Sequence, residues 1–264
     1  NLEGKWGGEM SSPVLKVEKV TQRFGGLVAV NAVDMEINKG EIIGLIGPNG
    51  AGKTTMFNCI TGQYTPTEGK IYFHDREITG MTPNQITELG MCRTFQNIKL
   101  FPHMTIMENV MVGAHTRLKE NLLDALFHTK SYKKAEKEAE ERARKALELT
   151  GLSDNPYHYG TDLPYGKQRR LEIARAIASD PELLMFDEPA AGMNEGETAD
   201  LTQFISEIRD LGYTILLIEH DMRLVMNLCD RIYVLDHGTL IASGVPDEIK
   251  QNPQVIEAYL GKKV

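Results

Sequence analysis

The most specific chemistry in the chain is carried by Gly47-Pro48-Asn49-Gly50-Ala51-Gly52-Lys53-Thr54, which fits the spacing GxxxxGK[ST]. The glycines let backbone N–H groups turn inward around β- and γ-phosphates, Lys53 brings a positive charge, and Thr54 offers a hydroxyl to Mg²⁺. Thr55 follows in the first turn of a helix whose N-terminal dipole attracts the same anion. A second run, Leu183-Leu184-Met185-Phe186-Asp187-Glu188, is apolar until it ends in two carboxylates. An acidic pair at the carboxyl end of a buried parallel strand stands where a second Mg²⁺ contact and a water-activating base belong relative to a phosphate loop. Asp187 is expected to hold the metal through water, and Glu188 to polarise the attacking water. A third apolar run, Ile215-Leu216-Leu217-Ile218, ends in Glu219-His220, so three strands are expected to deliver polar groups at one end of a sheet.

The elements that must position these groups are legible from periodicity. Residues 42–46 form a nearly continuous apolar run, the mark of a strand covered on both faces, and lead through the glycine loop into a helix ending near Gly62. Val14, Val17, Val20 and the alternating Val33-Asp34-Met35-Glu36-Ile37 predict strands of a half-exposed sheet before the loop, and residues 70–73 another after it. Thr82-Pro83-Asn84-Gln85 and Thr105 to Glu108 are capping boxes that open two helices. Residues 130–149 are dense in charge, with Glu138/Arg142, Glu140/Arg144 and Glu141/Lys145 four apart and alanines on another face, which predicts a long exposed helix. The last third alternates helix (168–179, 197–210, 222–228) with strand (183–186, 214–218, 232–235), followed by a short strand and a polar helical tail over 247–260. The fold class is therefore α/β, a parallel sheet wound with helices.

Composition bounds the remaining possibilities. With 264 residues, 41% of them hydrophobic and 25% charged, the chain is folded and globular rather than disordered or fibrous. A net charge of −8 argues against gripping nucleic acid as its main work, and no nucleic-acid partner is expected. Cys59, Cys92 and Cys229 are far apart and form no CxxC pair, so reduced, buried thiols are expected rather than disulfides or a zinc site. No apolar run approaches the length that spans a bilayer, so any membrane connection must pass through a partner. Residues 1–13 read as an N-terminal extension, with Met10 a plausible native start.

Taken in order, the motifs resemble those of the ATP-binding subunit of an ABC transporter, from about residue 14 to about residue 260. The resemblance implies a P-loop NTPase (RecA-like) core in an ATPase domain over 14–264. An antiparallel β subdomain, an inserted helical subdomain at about 97–179 and a C-terminal tail from about 245 would accompany it. Phe24, in Arg23-Phe24-Gly25-Gly26, looks like the aromatic that stacks on adenine, beside a nucleotide set running from Gly47 through Thr55. Gln96, in Arg93-Thr94-Phe95-Gln96-Asn97, matches the Q-loop glutamine, which in the family touches Mg²⁺ and the water. Leu163-Pro164-Tyr165-Gly166-Lys167 stands where the signature belongs, Ala190-Ala191-Gly192-Met193-Asn194 occupies the D-loop, and His220 matches the switch histidine that contacts the γ-phosphate. By this resemblance Lys53, Gln96, Glu188 and His220 form the catalytic set, and Thr54, Gln96 and Asp187 the Mg²⁺ set.

It also implies that two such domains pair head to tail, each ATP lying between one phosphate loop and the other signature, and that closure on ATP drives a membrane permease. Three departures bear on this expectation. Pro164 lacks the usual signature hydroxyl, Lys167 replaces a glutamine, and Asn194 replaces the common D-loop aspartate. The Arg-Thr-Phe-Gln-Asn, Leu-Pro-Tyr-Gly and Ala-Ala-Gly-Met-Asn runs, with the ending Val255-Ile256-Glu257-Ala258-Tyr259-Leu260-Gly261, resemble the first of the two ATPases of branched-chain amino acid importers. In that group the two ATPases differ, so a heterodimer is the expectation, with a homodimer the alternative. The protein would sit peripherally on the cytoplasmic face of the inner membrane through its permease, served indirectly by a substrate-binding protein. Ile98, Leu100 and Phe101 are either the groove for the permease's coupling helix or plain core. Urea, amides or lipids remain alternative cargoes, and a soluble non-transport ABC ATPase the remaining alternative.

Overall fold

The computed structural model describes residues 12–94, 96–115 and 130–260; most of the expected N-terminal extension, Phe95 and the end of the tail lie outside them. β1 (Leu15–Phe24) and β2 (Leu27–Ile37) form a hairpin in which Val33, Met35 and Ile37 point inward, the period-two pattern of a strand with one wet face. β3 (Ile42–Ile46) is buried at every residue, and α1 (Lys53–Ile60) leaves its glycine loop. β4 (Glu68–Phe73) and β5 (Arg76–Glu77) complete an antiparallel sheet in the order β2-β1-β4-β5. α2 (Pro83–Leu89) begins at the expected box, where the Thr82 N–H donates to Gln85 Oε1 at 2.9 Å. β6 (Met91–Arg93) is a three-residue strand, too short for periodicity to announce.

α3 (Ile106–His115), α4 (Lys130–Leu149) and α5 (Tyr165–Ala178) pack on one another. Thr105 and Glu108 exchange both bonds of the second capping box, at 2.7 and 3.2 Å. The long charged helix is less exposed than its composition suggests, because Ala139, Ala143, Ala146 and Leu147 form a buried stripe. Small residues there let the helices approach closely, and the charged residues keep the opposite face wet. Glu138–Arg142 and Glu140–Arg144 pair at 2.9 and 2.6 Å as their spacing demands, whereas Glu141 turns to Lys137 at 3.9 Å rather than to Lys145.

β7 (Leu183–Asp187), α6 (Glu195–Asp210), β8 (Thr214–Ile218), α7 (Met222–Leu228), β9 (Arg231–Asp236) and β10 (Thr239–Gly244) complete the main sheet, in the order β10-β9-β3-β8-β7-β6. It is parallel from β9 to β6, and only β10 runs antiparallel. Helices cover one face, and α1 with the antiparallel sheet covers the other, so β3, β7 and β8 are buried at every residue and apolar along most of their length until the chemistry begins. Since β8 lies between β3 and β7, the phosphate loop, Asp187-Glu188 and Glu219-His220 emerge side by side. The tail is two helices, α8 (Pro246–Gln251) and α9 (Pro253–Leu260), divided at a proline that cannot continue a helix. It is docked rather than merely polar, with Ile249 and Val255 buried. Among the described residues no helix is long and apolar enough to cross a membrane.

Candidate active site

The phosphate loop is shaped by close backbone approaches. Gly47 adopts φ 151°, and a Cβ there would stand 2.1 Å from the Leu235 carbonyl oxygen. Gly52, at φ 100°, would put a Cβ 2.5 Å from the Ala29 carbonyl oxygen, so only glycine fits either position. Gly52 also stands at the N-cap of α1, where no side chain caps the helix and no acidic residue enters the first turn. Its first N–H groups therefore face a cleft of about 520 Å³ bordered by Phe24, Ala29, Asn49, Thr54, Thr55 and Glu188. Lys53 bends back over the loop, and its Nζ donates to the carbonyls of Gly47 at 2.7 Å and Pro48 at 3.0 Å. Burial pushes the Lys53 ammonium below its ordinary value, and the nearby Glu188 carboxylate opposes that shift. An uncapped helix start, a lysine and a hydroxyl around one cleft suit a polyphosphate.

At the mouth of the cleft Phe24 is 43% exposed and meets Tyr64 edge to face, ring centres 5.2 Å apart. Tyr64 was not singled out by its sequence, since a lone tyrosine after a helix carries no signal. His237, in the turn between β9 and β10, also borders the cleft, and a lone histidine in a turn carries no sequence signal either.

The end of β7 carries the acids. Asp187 is buried, and its Oδ2 accepts from Arg93 Nη2 at 2.6 Å. Arg93 in turn donates to Asn58 Oδ1 at 2.8 Å and lies over the Phe57 ring at 4.8 Å. Asp187 is thus oriented by an arginine from β6, and it does not itself border the phosphate cleft, which Glu188 does. Glu188 has φ 47°, a left-handed backbone unusual for a non-glycine residue, and its N–H bonds Ile218 O at 2.9 Å. The side chain is held from the far side by Gln96, whose Nε2 donates to Glu188 Oε2 at 2.7 Å, with His220 Nδ1 3.8 Å from the same oxygen. The Gln96 carbonyl accepts from Arg169 Nη2 at 2.7 Å, and Arg169, wholly buried, pairs with Glu172 at 2.6 Å. The Q-loop is therefore fastened to α5 through a buried guanidinium.

Among the described residues no three His, Cys, Asp or Glu side chains could cage a metal by themselves. Thr54, Gln96 and Asp187 instead offer a hydroxyl, an amide and a carboxylate, the sparse oxygen set that suits Mg²⁺ taken up with water and substrate phosphates.

The signature residues lie elsewhere. Pro164 is the N-cap of α5 and gives it no side-chain bond, as expected from the missing hydroxyl. Pro164, Gly166 and Lys167 border a hollow of about 260 Å³ beside Met193 and Glu197, and none of them borders the phosphate cleft. Leu163 packs against the core and accepts Gln168 Nε2 at 2.8 Å. Asn194 caps α6: its Oδ1 accepts the Glu197 N–H and Glu197 Oε2 accepts the Asn194 N–H, both at 3.0 Å. Asparagine caps a helix as well as aspartate does, which accounts for its tolerance here.

Comparison with known proteins agrees with this geometry. The family model described as ABC transporter matches residues 30–191, and one described as Branched-chain amino acid ATP-binding cassette transporter matches residues 239–264. The chain is 51% identical over 254 residues to the high-affinity branched-chain amino acid transport ATP-binding protein LivG of Escherichia coli K12, covering 96% of this chain and 100% of the relative. It is 48% identical over the same length to BraF of Pseudomonas aeruginosa, described in the same terms. Among solved structures, MJ1267, an ATP-binding cassette of an ABC transporter in its ADP conformation, superposes with a TM-score of 0.82 at 34% identity, over 95% of this chain and 99% of that one. The chain therefore belongs to the ABC transporter family, in its group of branched-chain amino acid ATP-binding cassettes.

Proposed function

We propose that the chain is the ATP-hydrolysing subunit that powers an importer of branched-chain amino acids. The observation that carries the chemistry is the convergence of Gln96 and His220 on one carboxylate oxygen of Glu188 beside the phosphate loop. ATP would lie along the cleft with its adenine against Phe24 and its phosphates on the amides from Gly47 through Thr55. Lys53 would leave the carbonyls of Gly47 and Pro48 for the phosphates. Thr54, Gln96 and Asp187 would hold Mg²⁺, which neutralises charge developing on the phosphates. Glu188 orients and deprotonates the attacking water, held in place by the Gln96 amide, while His220 stands ready to donate to the γ-phosphate.

Since Leu163 to Lys167 lie apart from the cleft, the second half of each site is assigned to the signature of a partner ATPase paired head to tail. A heterodimer is the preferred form. The bounds of the helical subdomain, about 97–179, and the domain span 14–264 are part of the same reading. Ile98, Leu100 and the exposed Phe101 are offered as the groove for a permease helix, which would hold the protein on the cytoplasmic face of the membrane. A substrate-binding protein would deliver the cargo.

The experiment is reconstitution with the permease and receptor in proteoliposomes. ATP inside the correct compartment should drive uptake of labelled leucine, and omission of this chain should stop it. Uptake of urea or an amide instead would reassign the cargo, and failure to associate with any membrane protein would overturn the transport role.

A further inference from the structure

Between Glu188 and the cap of α6 runs a turn, residues 189–193, that belongs to neither strand nor helix. It is gripped on both sides. The Ala190 N–H donates to Glu219 Oε1 at 2.9 Å, and the next carbonyl, that of Ala191, accepts from the Tyr165 hydroxyl at 3.0 Å. Glu219 uses its other oxygen to accept the His220 N–H at 3.1 Å. Its side chain is wholly buried, and His220 Nδ1 lies 3.8 Å from its Oε2. Burial accordingly pushes the carboxyl above its ordinary value, with the backbone N–H groups pulling the other way. A carboxylate that spends both oxygens on backbone donors of two different loops fixes their spacing more tightly than packing alone.

We propose that Glu219 and Tyr165 are positioning residues for hydrolysis, clamping the 189–193 turn from opposite sides so that His220 and Glu188 at one ATP are mechanically joined to the signature helix α5 that serves the other. The inference rests on the head-to-tail pairing proposed above and adds the two side chains through which the sites are connected. The chain of contacts is short: His220 to Glu219, Glu219 to Ala190, Ala191 to Tyr165, and Tyr165 at the start of α5. Displacement of either end moves the turn, and the turn cannot move without pulling the other end.

The test uses the complete transporter complex and compares Glu219→Gln, Tyr165→Phe, the double variant and Glu188→Gln. Tyr165→Phe removes one hydroxyl from a partly exposed ring, and Glu219→Gln turns one acceptor into a donor facing a backbone N–H. Each is expected to leave ATP binding, read with a fluorescent ATP analogue, within about 2-fold of the parent while kcat falls about 5- to 10-fold, the scale of one hydrogen bond. Because both act on one turn, the double variant should lose no more than about the larger single loss, whereas independent effects would multiply. Should Glu219→Gln fail to fold, Tyr165→Phe alone carries the kcat test. Unchanged kcat in Tyr165→Phe, or a loss matched by weakened ATP binding and a lowered melting midpoint, overturns the clamp. Glu188→Gln separates the two claims: if it abolishes hydrolysis while the clamp variants run at the parental rate, only the clamp falls; if Glu188→Gln is itself fully active, the catalytic assignment falls.

Discussion

Glu188 combines a left-handed backbone with a side chain braced by Gln96, and both features hold its carboxylate still at the mouth of the cleft. Glutamine at this position keeps the size and hydrogen-bonding reach but cannot take a proton. Glu188→Gln should therefore bind ATP as the parent does and hydrolyse it about 100- to 10,000-fold more slowly, as phosphate release and nucleotide binding measured side by side would report. The thiols give a second residue-scale outcome. Burial pushes Cys59 and Cys229 up to about 12, so neither should react with iodoacetamide near neutral pH until the protein is unfolded. Counting labelled thiols by mass, with and without denaturant, checks it. The phosphate loop and the strand-end acids were legible because their chemistry is written in consecutive residues. Arg93 on Asp187, Arg169 on the Gln96 carbonyl and Glu219 on Ala190 were not, because they join positions 94, 73 and 29 residues apart and only the folded sheet order brings them together.

At the scale of elements, the same rule separates what periodicity could and could not reveal. β3, β7 and β8 were plain as apolar runs, since burial on both faces leaves few polar residues until the strand ends. β6 left no trace, because three residues cannot show a period, and the docking of the tail was hidden by its polar composition. Helix packing was hidden too, and here a single glycine is decisive. In α3, a Cβ on Gly113 would lie 1.9 Å from the Arg175 carbonyl oxygen in α5, a contact with backbone that no side-chain rotation relieves. Gly113→Ala gains helix propensity but must push the two helices apart. A net destabilisation of about 1–3 kcal/mol is expected by urea unfolding, and a stabilised variant would refute the close crossing.

At the scale of the whole molecule, the antiparallel and main sheets are joined where Arg231 of β9 reaches across to the turn after β2. Its Nη2 donates to Glu41 Oε2 at 2.8 Å and to Glu36 O at 3.0 Å. Burial pushes the Glu41 carboxyl up, but the Arg231 bond and both Asn38 donors outweigh it and leave the value below the ordinary carboxylate range. A lowered carboxyl stabilises the fold above its unfolded value, and that stability is lost as pH falls through the folded one. Glu41→Gln should thus be less stable than the parent at neutral pH, with the difference shrinking on acidification, as thermal melts across the acid range would record. The largest-scale consequence concerns the signature. Pro164, Gly166 and Lys167 border a hollow separate from the phosphate cleft, so under the proposed head-to-tail pairing one chain would hold half of each of two sites and an intact site would require a pair. Hydrolysis per molecule should accordingly be low for the dilute chain, rise with its concentration and rise further when a second ATPase of the same transporter is added. Turnover measured against protein concentration, beside mass from light scattering, tests this directly. A concentration-independent rate from a species of monomer mass would show that the cleft works alone and would remove the signature from the chemistry.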